Sequence, residues 1–504
     1  MADYEIANPS AEALIESLRA VGYSLPTAIA DIIDNSVAAG AKNVWMDFNW
    51  SGAESHITIV DDGLGMSEEV LSNAMRPGSQ SPLDDRQPSD LGRFGLGMKT
   101  ASFSQCRILS VISKVSDGAV SKRCWNLDFV SEHNEWRLLK EVTKKAEAVA
   151  QVLDELENGT VVMWERLDRV TGDSSVSDEK AHRHFLGHID DTRKHLAMIF
   201  HRFLAAPKPR LKIFVNGRKE ADRIEAWDPF LEDHPCTNPT PIDPVQFGGS
   251  IVSIRGYVLP HKDKLSGDGE YESGGGPGGW NSQQGFYIYR GDRMLVSGSW
   301  LKLGPVRPWA KEEHYKLARL SIDIPNSMDS DWSIDVKKSM AMPPRNIRHK
   351  LLKLAESVRD DARKVFAHRG EYGPRGSSSR AELERPWEGS TRNGHTIYRI
   401  RRNHVIIRNL IKQMGTLKPE LETLLRFIEE TVPVQKIWLD AAENEKGHAI
   451  AYDGIDEEVI LGDMKKAWEM LLESGCSPEE AELQIGTMEP FHRYPAMIDQ
   501  LNGR

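Results

Sequence analysis

Asp31, Asp34 and Asn35 interrupt an apolar run, and two of them are spaced to act on one ligand. Asp31 and Asn35 are four residues apart, so on a helix their side chains stand one above the other on a single face. An amide oxygen at Asn35 suits a hard cation such as magnesium, and a carboxylate one turn earlier can orient or deprotonate a water. Alone, the pentapeptide reads more readily as an exposed polar stripe. A second carboxylate follows in Asp61-Asp62-Gly63-Leu64-Gly65-Met66, where an acid arrives beside two glycines. A third feature is Leu91-Gly92-Arg93-Phe94-Gly95-Leu96-Gly97-Met98-Lys99-Thr100. Its glycine spacing lets backbone N–H groups converge on phosphate oxygens, and a helix opening near Met98 adds positive potential at its N-terminus. It is neither a Walker A loop nor a dinucleotide fingerprint, because G-x-x-x-x-G-K-[ST] and the strand–glycine–helix order are both missing.

These groups need elements to hold them. Pro26 and Thr27 offer a helix start, and Ala28, Ile29, Ile32 and Ile33 recur at helical spacing, so the Asp31 helix buries its other side. Alternation predicts strands at 43–50 and 56–61, joined by the turn-like Ser51-Gly52-Ala53, the second running straight into Asp61. A short helix begins at Ser67, and 76–90, rich in Pro, Ser, Gln and Asp, reads as a mobile loop. Further strands are predicted at 106–115, 122–129 and 159–164, the last opening on Gly159-Thr160. Beyond a helix over 178–206, Leu211, Ile213 and Val215 alternate into Asn216-Gly217, a hairpin signal. Strands at 251–259 and 286–289 flank the glycine-rich 273–279, which reads as a flexible surface loop. An amphipathic helix spans 344–368, and a Gly/Ser/Arg linker follows at 370–379. The stretch 393–410 is basic (Arg399, Arg401, Arg402, Arg408) with Tyr398 and His404 interleaved, a pattern for nucleic-acid phosphates or for a protein-facing charge run. Helical spacing returns at 421–428 and 457–472.

Composition narrows the class. The 504 residues suggest two to four domains, and 39% hydrophobic with 28% charged residues reads as globular. A net charge of -11 argues against a globally basic nucleic-acid binder and leaves room for local basic patches. Cys106, Cys124, Cys236 and Cys476 are scattered without metal-ligand spacing or a disulfide framework. With no leader-like start and no apolar run of about 18 residues, the expectation is a cytoplasmic protein with no membrane partner.

The ordered set of acid-x-x-x-Asn on a helix, D-x-G-x-G after a strand, a long loop into G-x-x-G-x-G and a later Gly-Thr strand resembles the GHKL ATPases. That superfamily includes gyrase, heat-shock chaperones, histidine kinases and MutL. The resemblance spans roughly 10–167 and implies an α/β (Bergerat) sandwich binding ATP and magnesium. By that resemblance Asn35 coordinates the magnesium, and Asp31 takes the place of the water-activating acid. Asp61 accepts from the adenine amino group with Thr160 in support, while Gly63, Gly65 and Met66 form the close-approach turn. Gly92, Gly95, Leu96, Gly97, Met98, Lys99 and Thr100 wrap the phosphates. Two departures stand out: the family usually carries Glu where this chain has Asp31, and an acid–Ala pair where it has Val37-Ala38-Ala39.

Phe286-Tyr287-Ile288-Tyr289-Arg290-Gly291-Asp292-Arg293, Trp300 and Trp332-Ser333-Ile334-Asp335-Val336-Lys337-Lys338 resemble the transducer of the MutL and MORC branch, most of all bacterial MORC-like ATPases. There a lysine reaches the terminal phosphate; Lys338 is the first choice and Lys337 the second. The implied organisation is an ATP-binding domain at 1–205, a transducer-like α/β domain at 206–369, a linker at 370–392 and a mostly helical module at 393–504. The implied activity is slow magnesium-dependent ATP hydrolysis by an ATP-dependent homodimer, a clamp acting on DNA or in a DNA-directed phage-defence complex with a protein partner. Two other functions compete. A histidine kinase needs a phosphoacceptor helix that the nine residues before Ser10 cannot supply. A nucleotide-sensing module with negligible turnover is made credible by the shorter acid at Asp31.

Overall fold

The computed structural model describes residues 10–20, 22–78, 97–116, 118–205, 207–247, 250–325, 328, 331–334, 341–367, 384–392, 395–437, 451–452, 454–498 and 500–501. Several expected features fall outside the described residues: most of the loop at 76–90, Gly92, Gly95 and Leu96, the lysines Lys337 and Lys338, and the 370–379 linker. Two compact units divide the chain, 1–373 and 374–504.

The first unit opens with helices α1 (Ala11–Arg19) and α2 (Leu25–Ala38), strands β1 (Asn43–Asn49) and β2 (His56–Asp61), and helices α3 (Glu68–Met75) and α4 (Gly97–Phe103). There follow β3 (Ile108–Lys114), β4 (Ser121–Asn126), α5 (Leu127–His133), α6 (Lys144–Ala150), β5 (Gly159–Glu165), α7 (Glu179–Ile199), α8 (His201–Leu204) and β6 (Lys212–Val215). Their strands make one sheet in the order β4-β3-β5-β2-β1-β6, with only β6 running parallel to its neighbour. Alternation along β2 divides the layers. Ile57 and Ile59 join Ile29, Ile33, Val111 and Trp164 in the main core, whereas Val60 faces Ile112, Val161 and Met163 under Ala146 of α6.

The site helix α2 is well specified locally. The Ser24 hydroxyl accepts from Thr27 N at 3.4 Å, Pro26 sits in the first turn, and Gly40 (φ +72°) ends the helix while Ala41 N donates to Ser36 O. Ile29, Ile32 and Ile33 are no more than 2% exposed, each contributing about 1.5–3 kcal/mol by burial.

A second sheet is built from β7 (Asn238–Pro239), β8 (Asp243–Phe247), β9 (Ser250–Val258), β10 (Gly285–Arg290), β11 (Arg293–Ser299) and β12 (Ala318–Ile324) in the order β11-β10-β12-β9-β7, with β8 on β9. Helices α9 (Asp268–Gly275) and α10 (Gly279–Ser282) intervene, and α11 (Arg345–Ala367) packs back along β9 and β12 instead of leaving the sheet. The 374–504 unit has its own core around Val405, Ile460, Met464, Leu471 and Ile485. It carries a hairpin of β13 (Trp387–Arg392) and β14 (His395–Ile400), then α12 (Val405–Gln413), α13 (Lys418–Glu430) and the helices Glu457–Glu473, Pro478–Thr487 and Pro495–Ile498.

Four expectations change. The 273–279 segment is not a flexible loop: Gly274 and Gly275 are buried against Trp280, and a Cβ at Gly276 would lie 2.1 Å from Trp227, so the glycines admit two indoles. Asn216-Gly217 makes a turn, but the return is only a bridge between Phe214 and Arg223, because β6 satisfies its ladder beside β1. That pairing carries the first sheet beyond residue 205. Finally, β13 occupies part of the segment read as linker, so the C-terminal module begins with strands.

Candidate nucleotide site

Asp31 is 4% exposed and its Oδ2 accepts from the Tyr23 hydroxyl at 2.9 Å. The same oxygen faces the start of α4, where a Cβ on Gly97 would lie 3.7 Å from Asp31 Oδ2. Asn35 is exposed one turn on, and its Nδ2 donates to Asp31 O at 3.1 Å, which fixes the amide and leaves its carbonyl oxygen turned to other use. Asp31 and Asn35 thus share the face expected from their spacing.

The next residue ties that helix to the strand-end acid. Ser36 Oγ donates to Asp61 Oδ2 at 2.7 Å, and Gly63 N donates to Asp61 Oδ1 at 2.9 Å. Burial pushes the Asp61 carboxyl above its ordinary range, opposed by Ser36 and by backbone N–H groups of Gly63 and Thr160. Asp62, its neighbour, is used up structurally: its carboxylate accepts from Lys42 N, Asn43 N and Asn43 Nδ2 at 2.7 to 2.8 Å and pins the entry to β1. Of two adjacent acids, one organises backbone and the other faces the pocket side of the turn.

The glycines of that turn are needed for approach. Gly65 has φ +69°, and a Cβ there would lie 2.0 Å from Lys114 O; one on Gly63 would lie 2.8 Å from the Ala39 methyl. Position 63 therefore admits no side chain beside Ala39. Met66 N donates to Ser113 Oγ at 2.8 Å, and the same hydroxyl lies 2.8 Å from Thr160 Oγ1. Ser36 and Ser113 are the site residues that sequence reasoning missed; Ser36 was visible as the hydroxyl after Asn35, whereas Ser113 is one residue of an alternating strand with no signal of its own.

Of the phosphate-loop residues, Gly97, Met98, Lys99 and Thr100 are described. The Lys99 side chain is committed to the fold: it is 3% exposed, its Nζ donates to Ala74 O at 2.7 Å, and burial pushes its pKa down to about 8. It joins the end of α3 to the start of α4. Thr100 Oγ1 is buried with no hydrogen-bond partner among the described residues.

These elements define an ATPase class. Residues 23–160 match the family described as histidine kinase-, DNA gyrase B- and HSP90-like ATPase, so this stretch is a GHKL-type ATP-binding domain. It falls in the MutL and MORC branch. The chain is similar to the ATPase morc-1 of Caenorhabditis elegans, 32% identical over 95 residues, covering 19% of this chain and 11% of that protein. It is similar also to the DNA mismatch repair protein MutL of Nitrobacter winogradskyi, 29% identical over 136 residues (27% of this chain, 20% of that protein), and of Clostridium perfringens, 31% over 98 residues (19% and 14%). The match spans no more than a fifth of any of these relatives. No helix among the described residues is long and apolar enough to cross a membrane.

Proposed function

We propose that the protein binds ATP with magnesium and hydrolyses it slowly, as an ATP-gated dimer that acts on DNA. The observation that carries this reading is the convergence of Asp31 and Asn35 on one face of α2 with Asp61, joined through Ser36, beside the first turn of α4. In it Asp61 takes the adenine amino group, supported by Thr160, and Asp31 orients the attacking water. Among the described residues no group of three or more His, Cys, Asp or Glu could hold a metal. The Asn35 oxygen is therefore one protein ligand to a magnesium held mostly by phosphates and water, a donor set that fits this cation. Lys338, or failing it Lys337, supplies the terminal-phosphate contact.

The DNA part rests on the relatives' names and on charge. The basic stretch after 393 is mostly neutralised within its own unit: Arg399 pairs with Glu430 at 2.8 Å, Arg401 with Glu388 at 3.5 Å and Arg402 with Glu429 at 2.7 Å. The first half of α11 is the better surface. It shows Arg345, Arg348, His349 and Lys353 with no acid before Glu356, Lys350 being paired with Asp243 at 3.0 Å, against a chain of net charge -11. The narrower setting, a defence complex with a protein partner, rests on the MORC-like sequence pattern.

A nucleotide sensor with little turnover is the second reading, favoured by the buried, Tyr23-bound Asp31 in place of a longer acid. A carboxylate held back by about an ångström lowers the rate on the order of 100-fold. Single-turnover hydrolysis by wild type, Asp31→Glu and Asp31→Ala separates the two. The ATPase reading expects Asp31→Ala to be inactive and Asp31→Glu to be as fast as wild type or faster; an Asp31→Ala rate equal to wild type removes Asp31 from the chemistry.

A further inference from the structure

Asp34 lies on α2 between the two residues assigned to the nucleotide, yet it takes no part in the face they share. It is 2% exposed and pairs with Arg293, the first residue of β11, whose Nε donates to Asp34 Oδ1 at 2.8 Å. Arg293 is 3% exposed, and its guanidinium lies 4.8 Å from the centre of the Phe200 ring. His195 of α7 lies against the pair and is held neutral, its pKa lowered to about 4 by burial and by Arg293 in spite of Asp34.

The turn that delivers Arg293 is itself clamped. Gly291 (φ +52°) and Asp292 (φ +66°) make a tight two-residue connection between β10 and β11, so that Arg293 pairs directly across from Arg290. Asp292 accepts from Arg210 at 2.8 Å and from Arg202 at 3.4 Å, and Arg202, which also pairs with Asp323 of β12, lies 3.6 Å over the Tyr289 ring. One hairpin tip is therefore gripped by the end of the α7–α8 segment through Asp292 and grips α2 through Arg293.

We infer that Arg293 is a positioning residue for the nucleotide site: through Asp34 it fixes the rotation of α2 about its axis, and through the same bond it passes the occupancy of that site to the second sheet. A helix turned by one residue moves each side chain by 100°, so the buried, charge-assisted bond at Asp34 adds to the packing of Ile29, Ile32 and Ile33 in setting where Asp31 and Asn35 point. The inference rests on the nucleotide reading above and adds to it the route from site to second sheet. The sheet that receives the signal is the one whose strands β9 and β12 support α11 and its basic face.

The test uses the full chain. Arg293→Met removes a charged partner from a buried carboxylate and is expected to weaken folding, so it is accompanied by the charge-neutral double variant Asp34→Asn/Arg293→Met and by Arg293→Lys. For each, ATP binding is titrated directly, kcat and KM are measured, and deuterium uptake over 285–299 is compared with and without a non-hydrolysable ATP analogue. The double variant is expected to fold, to keep ATP binding within about threefold, to lose at least about tenfold in kcat, and to lose the nucleotide-induced protection of 285–299 seen in wild type; Arg293→Lys recovers part of both. A double variant with wild-type kcat and wild-type protection overturns the inference while leaving the nucleotide reading standing. Wild-type protein that binds no ATP overturns both.

Discussion

Two regions of this protein concentrate charge, and they handle it differently. At the nucleotide site the partners of the acids are mostly neutral: Tyr23 and Ser36 hydroxyls and backbone N–H groups meet Asp31 and Asp61. In the C-terminal unit, Glu429 accepts from Ile400 N at 2.8 Å and from Arg402 at 2.7 Å, with Arg399 and Glu430 alongside. There Arg399, Arg401 and Arg402 are each met by a glutamate of the same unit. The cavity over this second cluster, about 560 Å³, is roomy, but its walls are already neutralised, so volume is a poorer guide to the site than the identity of the partners. Neutral donors orient a carboxylate and leave its charge for a ligand, whereas an ion pair spends that charge on holding the fold.

The sharpest way to break the comparison is Asn35→Ala. Its side chain is exposed and makes one bond within its own helix, so the variant should melt as wild type does while phosphate release from magnesium–ATP falls by at least about 100-fold. Unchanged release would mean that the exposed amide is only the polar stripe it first resembles.

Glu429→Gln should do the reverse, changing stability and leaving ATP turnover alone. Burial would raise the Glu429 pKa, but the Arg402 bond, the Ile400 N–H and the charges of Arg402 and Arg399 outweigh it and hold the carboxyl below its usual range. A carboxyl depressed in the folded state stabilises above its unfolded pKa, about 4.3, and that stability is lost as pH falls through the folded value. The variant should lose about 2–3 kcal/mol at pH 7, less than a fully buried pair would because the Arg402 side chain is 31% exposed, and denaturation curves of the two proteins should draw together as pH falls through the depressed folded-state value. A gap that is the same at pH 3 and pH 7 would assign the effect to packing. The smallest effect is expected from Ser36→Ala, which removes one donor from Asp61: about 1 kcal/mol of stability and a several-fold weaker ATP affinity by calorimetry, with Asp61 titrating at higher pH.

Much of the site was readable because its signals are local. Asp31 and Asn35 share a face through helical geometry, Gly65 sits where a Cβ would strike Lys114 O, and the strand before Asp61 sets Ile57 and Ile59 on one face, although burial extends to both of its faces. The direction of the Lys99 side chain is not a local property: the α3 carbonyl it caps is reached only after α3 and α4 come together. The glycines at 273–279 were misread, since glycine marks both open loops and places where a large ring must approach backbone.

Spacing along the chain is enough to show the apolar face of α2, the acid-and-glycine turn after β2, the strands that carry them and the ATP-binding domain family they match, because position along one element fixes which residues share a face. The partners come from the packing of distant segments: Asp34 with Arg293 across 259 residues, Ser36 with Asp61, and the C-terminal arginines with glutamates. A buried charge must find its counterpart wherever the fold brings one, and that choice is made by the closing of sheets and helices upon each other, which no local pattern records.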